Sequence, residues 1–378
     1  MVMAISESQV RAALARVDDP EIGKPITELG MVKSVSITGN DVSVELYLTV
    51  AGCPMRNTIE ANTRLVLEEI EGIGTVTVAM DVMSDDQRRT LRQQLRGDVD
   101  EPIIPFAQPD SRTRVYAIAS GKGGVGKSSM TVNLAAALAD RGLKVGVLDA
   151  DIYGHSVPGL LGSDQRPTAV DDMILPPVSH GIKHISIGHF IDGNAPVVWR
   201  GPMLHRAIQQ FLGDVFWGDL DVLLLDLPPG TGDVALSVAQ LVPNAELLIV
   251  TTPQAAAAEV AERAGSIAQQ TRQRVFGVVE NMSAMVLEDG TVLDVFGSGG
   301  GERVAERLST LTGGPVPLLG QVPLDPSVRV HGDEGTPAVL ARPDSPASQA
   351  IRGIADALAV RRDSLAGKHL GLGVRTQN

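Results

Sequence analysis

The segment that most constrains the fold is a glycine-rich stretch of eight residues. It reads GKGGVGKS over residues 121–128 and has the form G-x-x-x-x-G-K-[ST]. An apolar run that predicts a strand, Val115 to Ala119, precedes it, and a helical stretch, Ser129 to Asp140, follows it. In this context the glycines turn backbone N–H groups toward an anion at a helix N-terminus. The segment therefore predicts a strand, a phosphate-binding loop and a helix in that order.

Short apolar runs alternate with helical stretches from residue 112 onward. In chain order the runs are VYAIAS, KVGVLD, DVLLLD, ELLIVT, VFGVVE and PLLGQV. Parallel strands that are buried on both faces have this composition, and their alternation with helices indicates a doubly wound sheet. We therefore expect an α/β fold over residues 112–360, a doubly wound, mostly parallel sheet of the P-loop ATPase type.

Residues 1–95 predict a small α/β domain in front of this sheet. A capping box at Ser6 begins a helix, and alternating apolar residues on both sides of the turn at residues 39–41 predict a hairpin. Proline at a first helical position predicts a second helix from Pro54 to about Ile70. Alternating apolar residues over 76–82 predict a third strand.

Two segments outside these domains have the composition of connecting or terminal chain. Residues 96–111 are rich in prolines and acids, which predicts a tethering linker. Residues 361–378 are glycine-rich and predict a flexible tail. The expected order is thus small domain, linker, P-loop domain and tail.

Composition disfavours several classes of protein. The formal net charge of -13 argues against a nucleic-acid backbone as the main partner, since such binding needs clustered lysine and arginine. No apolar run approaches the roughly 18 residues of a membrane-spanning helix, and the N-terminus lacks a secretory pattern. The single cysteine excludes an intramolecular disulfide. We expect a cytoplasmic protein without a membrane or nucleic-acid partner.

The loop and the strand ends that follow it predict a site for ATP and Mg²⁺. Lys127 should reach the β- and γ-phosphates, and the Ser128 hydroxyl should bind Mg²⁺. Asp226 ends the apolar run 222–225 and should act on Mg²⁺ directly or through water. The loop residues expected to bind ATP are Gly121, Lys122, Gly123, Gly124, Val125, Gly126, Lys127, Ser128 and Ser129.

Lys122 is not part of the ordinary motif. The pattern K-G-G-x-G-K-[ST] resembles the deviant Walker A class, which includes nitrogenase iron protein, MinD, ParA, arsenite ATPase and the Mrp/ApbC proteins. The resemblance implies that Lys122 reaches across a homodimer to the partner's nucleotide, where a cation would stabilise the charge on the transferred phosphoryl group. The alternative is a solvated loop lysine.

Asp149 and Asp151 follow the predicted strand from Val145 to Leu148, at the sheet edge where ligands bind. By the same resemblance they lie in switch I. Asp151 is the first candidate for orienting or activating the attacking water, and Asp149 is the second. Alternatively, both carboxylates cap the strand end. The candidate catalytic residues are Lys122, Lys127, Asp149 and Asp151.

Longer segments resemble Mrp/ApbC, the bacterial Fe–S cluster carrier ATPases. They read DADIYGHSVPGLLG (149–162), WRGPM (199–203), LDLPPGTGD (225–233), VVENMS (278–283), FGSGGG (296–301) and PLLGQVPLDPSVRVHGDEGTP (317–337). The resemblance implies a homodimeric ATPase that transfers iron–sulfur clusters to apoproteins. It also implies that Asn281 and the segment from Pro323 to Asp325 contact the adenine base.

The cysteine content departs from this family. Typical carriers have a C-x-x-C after the ENMS segment, whereas residues 283–296 here contain no cysteine, so the usual bridging cluster site cannot form in the usual way. The small domain resembles a domain of Fe–S assembly systems through the segments DPE (19–21), LGMV (29–32) and LT…GCP (48–54). It contains Cys53, whose position before Pro54 at a helix start predicts a reactive thiolate and a possible Fe–S or client ligand. The alternative is a small buried apolar residue.

Three functions remain open from the sequence. The first is an ATP-hydrolysing Fe–S cluster carrier or assembly factor that acts on client apoproteins. The second is a nucleotide-dependent switch or scaffold that binds clients without a cluster of its own. The third, a positioning ATPase of the ParA or MinD type, is disfavoured because the tail HLGLGVRTQN lacks a basic amphipathic helix.

Overall fold

The computed structural model describes residues 5–97, 103–151, 154–190, 201–230, 232–254, 257–287 and 289–360. The predicted tail over 361–378 and part of the predicted linker lie outside these residues. Of the segments compared above, Ile152, Tyr153, Trp199, Arg200 and Thr231 also lie outside them.

The N-terminal unit is a three-stranded sheet covered by helices. Its helices are α1 (Glu7–Leu14), α2 (Arg56–Glu68) and α3 (Asp85–Arg96), and its strands are β1 (Val32–Thr38), β2 (Asp41–Leu48) and β3 (Val76–Val82). β1 and β2 pair antiparallel around the predicted turn, and β3 adds parallel to β2. The Ser6 capping box is present, with reciprocal side-chain bonds to Gln9. Helix α2 begins at Arg56 rather than Pro54.

The remaining chain forms the predicted α/β unit. Its strands are β4 (Arg114–Ala119), β5 (Val145–Asp149), β6 (Thr168–Val170), β7 (Met173–Leu175), β8 (Val178–Ser179), β9 (Ile182–Ser186), β10 (Val222–Asp226), β11 (Glu246–Thr251), β12 (Val275–Ser283), β13 (Met285–Val286), β14 (Val292–Leu293) and β15 (Leu318–Pro323). Its helices are α4 (Lys127–Ala139), α5 (Val157–Leu160), α6 (Gly201–Gly213), α7 (Asp233–Leu241), α8 (Ala257–Thr271), α9 (Gly300–Thr312), α10 (Pro326–Asp333), α11 (Ala338–Ala341) and α12 (Pro346–Ala359).

The central sheet has eight strands in the order β15-β12-β11-β4-β10-β5-β9-β8. Every neighbouring pair is parallel except β8 and β9. The six apolar runs of the sequence are six of these strands, and β9 is a seventh that the sequence reading did not single out. The predicted fold class, a doubly wound and mostly parallel α/β sheet, is confirmed.

Both faces of the sheet are buried by helices. One apolar cluster lies beneath α6, α7, α8 and α9, and the other beneath α4 and α12. Helix α4 is buried on almost all sides, which explains why its sequence is rich in alanine rather than amphipathic. Among the described residues no helix is both long and apolar enough to cross a membrane.

Part of the predicted linker is packed rather than free. A short 3₁₀ turn, Pro105–Ala107, places Phe106 in the core of the α/β unit, where its ring meets Trp217 edge-on at a centroid distance of 6.3 Å. The Asn244 side chain donates a hydrogen bond of 2.9 Å to the Phe106 carbonyl. The tethering prediction is therefore wrong for this half of the segment, because an aromatic side chain is anchored there.

A hairpin of the α/β unit completes the core of the N-terminal unit. Strands β6 and β7 pair antiparallel, and their residues Val170, Met173 and Leu175 are fully buried among apolar side chains of the first 95 residues. An ion pair of 2.6 Å between Arg92 Nε and Asp172 Oδ1 lies at the same contact. The two units thus share one apolar cluster.

Candidate functional site

The glycine-rich loop connects β4 to α4 at the carboxyl edge of the sheet. Gly124 and Gly126 both have φ of 77°, a conformation that glycine adopts without strain. A Cβ at Gly126 would lie 2.4 Å from Nδ2 of Asn281, so glycine is also required there by close packing. Arg263 of α8 braces the start of the loop, with Nη1 donating to the Gly121 carbonyl at 2.9 Å.

Lys127, Ser128 and Asp226 converge at the first turn of α4. The Lys127 ammonium lies 2.8 Å from Oδ1 of Asp226, and the Ser128 hydroxyl donates to Oδ2 of the same carboxylate at 2.5 Å. Thr131 Oγ1 donates to Oδ1 at 2.8 Å. Asp226 is fully buried, and one cation and two hydroxyl donors compensate its charge there. The sequence reading did not include Thr131, which follows Lys127 by one helical turn.

The two aspartates that follow β5 have different surroundings. Asp151 lines the cavity above the loop, with Oδ2 3.8 Å from the Lys127 ammonium. Asp149 is fully buried and accepts hydrogen bonds from the Ser186 hydroxyl, the Val157 N–H and the Asp151 N–H. Burial, followed by the neighbouring Asp226 carboxylate, raises the pKa of Asp149 to about 7. Asp151 therefore faces the ligand space, while Asp149 holds the strand end and the backbone of Asp151.

Lys122 lines the same cavity but its ammonium donates to the side-chain oxygen of Gln254. Gln254 follows β11, so the contact joins two loops at the carboxyl edge of the sheet. The sequence reading did not identify Gln254. Its position just after an apolar strand run is the signal that could have indicated it.

Two adjoining cavities follow the loop. The first, about 320 Å³, is the phosphate cavity, lined by Ser120, Lys122, Gly123, Gly124, Val125, Gly126, Lys127, Ser128, Ser129, Asp151, Ser156, Leu160 and Pro229. The second, about 490 Å³, is the lateral cavity, lined among others by Asn281, Met282, Met285, Phe296 and Pro323. Gly126, Ser129 and Leu160 line both. A continuous groove therefore runs from Lys127 to the predicted base-contact residues.

The residues of the lateral cavity suit an aromatic ring. Asn281 Nδ2 donates to the Val125 carbonyl at 2.9 Å, which fixes the side chain against the loop. Met282, Met285 and Phe296 supply apolar surface, and thioethers pack readily against rings. Of these cavity residues, Asn281 and Pro323 are predicted base contacts, whereas the two methionines and Phe296 are not predicted from the sequence.

The structure contradicts the predicted reactivity of Cys53. Its side chain is 7% exposed, and its thiol donates to Oε2 of Glu21 at 3.8 Å. Because helix α2 begins at Arg56, the cysteine does not occupy the first helical turn. Burial, followed by the Glu21 carboxylate, raises the pKa of Cys53 to about 12. The thiol is therefore protonated, and the prediction of an activated thiolate is wrong.

The structure brings together most of the predicted site residues. The loop residues from Lys122 to Ser129 line the groove together with Asp151, Asn281 and Pro323. Gly121 does not line it, and its carbonyl accepts a hydrogen bond from Arg263. Cys53 lies in the N-terminal core instead. No three histidine, cysteine, aspartate or glutamate side chains within the described ranges are grouped to hold a metal ion.

Comparisons with known families match both units. The sequence model of the NUBPL iron-transfer P-loop NTPase family matches residues 111–359, and that of the iron-sulfur cluster assembly protein family matches residues 7–80. These ranges cover the α/β unit and most of the N-terminal unit.

Individual proteins of known name or structure are also similar to this chain. An iron-sulfur cluster carrier protein of Mycobacterium tuberculosis is 66% identical over 365 residues, 96% of each chain. One of Escherichia coli K12 is 46% identical over 250 residues, covering 65% of this chain and 66% of its own. Among solved structures, a nucleotide-binding protein of Archaeoglobus fulgidus in complex with ADP aligns with a TM-score of 0.52 and 35% identity, over 61% of this chain and 90% of its own.

Proposed function

Because this chain belongs to the family of iron-transfer P-loop NTPases, we propose that it binds and hydrolyses ATP and uses the cycle to carry iron–sulfur clusters to apoproteins. The observation that carries the nucleotide part is the groove. It joins a charged end at Lys127 and Asp226 to an apolar end at Asn281 and Pro323, which matches the two ends of a nucleoside triphosphate.

The charged end supplies the groups that phosphoryl transfer needs. Without a nucleotide, the Lys127 ammonium compensates the negative charges of Asp226 and Asp151. We expect the β- and γ-phosphates to draw this ammonium into the cavity. Asp151 faces the same space and is the group placed to orient the attacking water. Asp149 acts through Asp151, because it accepts the Asp151 N–H at 3.1 Å. Catalysis of this kind rests on positioning and charge stabilisation.

The residues beside Lys127 fit Mg²⁺. The Ser128 hydroxyl and the Asp226 carboxylate lie 2.5 Å apart, and hydroxyl, carboxylate and water oxygens are the donors that Mg²⁺ prefers. When bound, the ion would neutralise charge on the phosphate oxygens. Ser128 would hold it, with Asp226 acting directly or through water.

Lys122 supports a homodimer as the hydrolysing form. In the single chain its ammonium donates to the side chain of Gln254, a contact with a neighbouring loop and not with Lys127 or Asp226. We propose that a second subunit releases this contact and receives Lys122 at its nucleotide. Lys127 would then serve binding and Lys122 would serve turnover.

Turnover of Mg-ATP by three variants tests this assignment. Lys127→Ala should abolish hydrolysis and weaken nucleotide binding, while Lys122→Ala should keep binding and slow hydrolysis by roughly 10³-fold, the scale of a cation supplied in trans. Lys33→Ala, which removes a lysine of the N-terminal sheet, is the control and should be unchanged. Full turnover in Lys122→Ala would contradict the cross-subunit role, and nucleotide binding by Lys127→Ala equal to that of the native chain would contradict the phosphate site.

The cluster is cargo, and this chain alone does not supply the usual set of ligands for it. The relatives are iron-sulfur cluster carrier proteins by name, and this name and the match to an assembly-protein family support transport. The chain has one cysteine, which is buried and protonated, whereas clusters commonly take four thiolates. We therefore propose that ligands from a second subunit, a client or a small thiol complete the cluster site.

A nucleotide-dependent scaffold without its own cluster is the second candidate, and the buried Cys53 favours it. Anaerobic reconstitution of the native chain and Cys53→Ser, followed by iron and acid-labile sulfide analysis, separates the two. Iron and sulfide in the native chain alone assign Cys53 as a ligand, and retention in both assigns other ligands. Their absence from both removes the carrier and leaves the scaffold, which a nucleotide-dependent but iron-independent pull-down of clients would then support.

A further inference from the structure

A cavity of about 360 Å³ lies between the N-terminal unit and the α/β unit, away from the nucleotide groove. We call it the interface cavity. Among the residues that line it are Ile22 and Lys24 of the N-terminal unit and Lys144, Val178, Lys183, Trp217 and Asp219 of the α/β unit. Most of this lining is apolar, so its charged members determine which ligands fit.

Lys183 of β9 contributes a poorly compensated cation to this cavity. Its ammonium donates to the Phe216 carbonyl at 3.4 Å and lies 5.0 Å from the centroid of the Phe216 ring. Among the described residues the acids that act on it, Asp19, Glu21 and Asp219, do so through space and not as ion-pair partners. Lys183 is partly buried, so its charge loses part of its hydration without an ion-pair partner that compensates for the loss.

The nearest carboxylates, Asp19 and Glu21, do not pair with the Lys183 ammonium. Asp19 is buried and accepts the backbone N–H groups of Glu21 and Ile22 at 2.9 Å, and Glu21 accepts from Thr168 and Cys53. Their charges act on Lys183 only from a distance. Burial lowers the pKa of Lys183 to about 8, although Asp19, Glu21 and Asp219 raise it and Lys144 lowers it further.

The lining as a whole carries excess positive charge. Lys24 and Lys144 are exposed and line the cavity together with Lys183, whereas Asp219 is the one carboxylate among the described lining residues. Three ammonium groups therefore face one acid around an apolar space. Such a combination attracts an anion and offers its remaining atoms a surface on which to pack.

We propose that the interface cavity binds a small organic anion, a carboxylate or phosphate group on an apolar skeleton, with its charged end at Lys183. The apolar part packs on Ile22, Val178 and Trp217. A ligand held there contacts both units at once, so its binding strengthens their association. This site is independent of the nucleotide groove and of any cluster.

Pyridoxal 5′-phosphate, which joins a phosphate to an aldehyde, is a suitable probe of the native chain. The neutral Lys183 amine attacks the aldehyde carbon, water leaves, and borohydride reduces the imine to a stable amine that peptide mapping locates. At about pH 7.5 a pKa of about 8 leaves roughly a quarter of this amine neutral, against roughly one part in a thousand for an ordinary lysine. Lys183 should therefore be labelled at least about tenfold faster than the amine of Nα-acetyllysine added as an ordinary, unpaired lysine.

Competition separates an anion site from a merely reactive amine. Inorganic phosphate, octyl phosphate and octanoate are added in separate arms, with Mg-ATP present to shield the glycine-rich loop. A saturating competitor should lower Lys183 labelling about tenfold and leave that of Nα-acetyllysine unchanged, and the arm that does so identifies phosphate or carboxylate as the preferred group. Labelling of Lys183 no faster than that of Nα-acetyllysine, or fast labelling that none of the three anions reduces, overturns the proposal.

A variant pair gives a second measurement. The effective anion should raise the thermal midpoint of the native chain and of Ser163→Ala, a control outside the cavity, but not that of Lys183→Met, which retains the aliphatic stem. An equal rise in Lys183→Met would show that the anion acts elsewhere and would overturn the site.

Discussion

Replacement of Glu21 by glutamine should stabilise the protein at alkaline pH and not at acid pH. Glu21 is 1% exposed, accepts from the Thr168 hydroxyl at 3.3 Å and faces the Cys53 thiol at 3.8 Å. Burial, followed by the Asp19 carboxylate, raises the pKa of Glu21 from its ordinary value of 4.5 to about 7. The folded state therefore prefers the neutral carboxyl, which an amide of the same shape imitates.

The direction and size of the effect follow from linkage. Because the folded pKa lies above the unfolded one, the stability that Glu21 contributes is fully present below pH 4.5 and is lost as pH rises through about 7. At about 1.4 kcal/mol per pKa unit, the loss approaches about 3 kcal/mol at pH 8 and stays under about 1 kcal/mol at pH 5. The amide carbonyl can still accept from Thr168, so Glu21→Gln should recover about 1–3 kcal/mol at pH 8.

Urea unfolding of the native chain and the variant at pH 5 and pH 8 measures this difference. Glu71→Gln, a substitution of an exposed glutamate in the same unit, is the matched control and should behave alike at both values. An equal change of Glu21→Gln at pH 5 and pH 8, or a loss of stability at pH 8, would refute the reasoning.

Three further predictions concern the site and the core. Asp151→Asn should slow ATP hydrolysis by roughly 10²- to 10⁴-fold, as expected for a residue that orients the attacking water. Asp149→Asn should slow it by only about tenfold, because Asp149 does not line the phosphate cavity. The reverse order in steady-state assays would contradict the assignment. Phe106→Ala should cost about 3–5 kcal/mol of unfolding free energy, and the exposed Ile103→Ala under about 0.5 kcal/mol; chemical denaturation checks both, and near-equal values would show that the 3₁₀ turn is not anchored. The Cys53 thiol should react with a disulfide reagent such as DTNB only after unfolding, and rapid reaction of the native chain would contradict its burial.

The architecture of the α/β unit could be predicted from sequence because its signals are local. Apolar runs define β4, β5, β10, β11, β12 and β15 directly, and the glycine-rich motif determines where the loop meets α4. Strand β9 reads IKHIS and alternates only partly, so nothing in its own residues marks it as a member of a central sheet. Its place depends on pairing with β5, which is a long-range property.

The site was predictable where a motif fixes the residue and not where packing does. Lys127, Ser128 and Asp226 follow from spacing and strand ends. Gln254 becomes relevant only because the β11 end lies beside Lys122. The prediction of a thiolate at Cys53 is wrong because the thiol lies beside Glu21, which is 32 residues away in the chain. Sequence spacing cannot report burial of that kind.

The hairpin of β6 and β7 has a consequence for how the chain is made. The first 95 residues leave the ribosome well before Val170, Met173 and Leu175, yet these three side chains fill part of their apolar interior. We expect a fragment ending at residue 97 to be digested by protease much faster than one ending after Leu175 to which α6 and its neighbours have been added. The apolar core of a nascent N-terminal unit would then stay incompletely buried, and accessible to chaperones, until the hairpin has been synthesised.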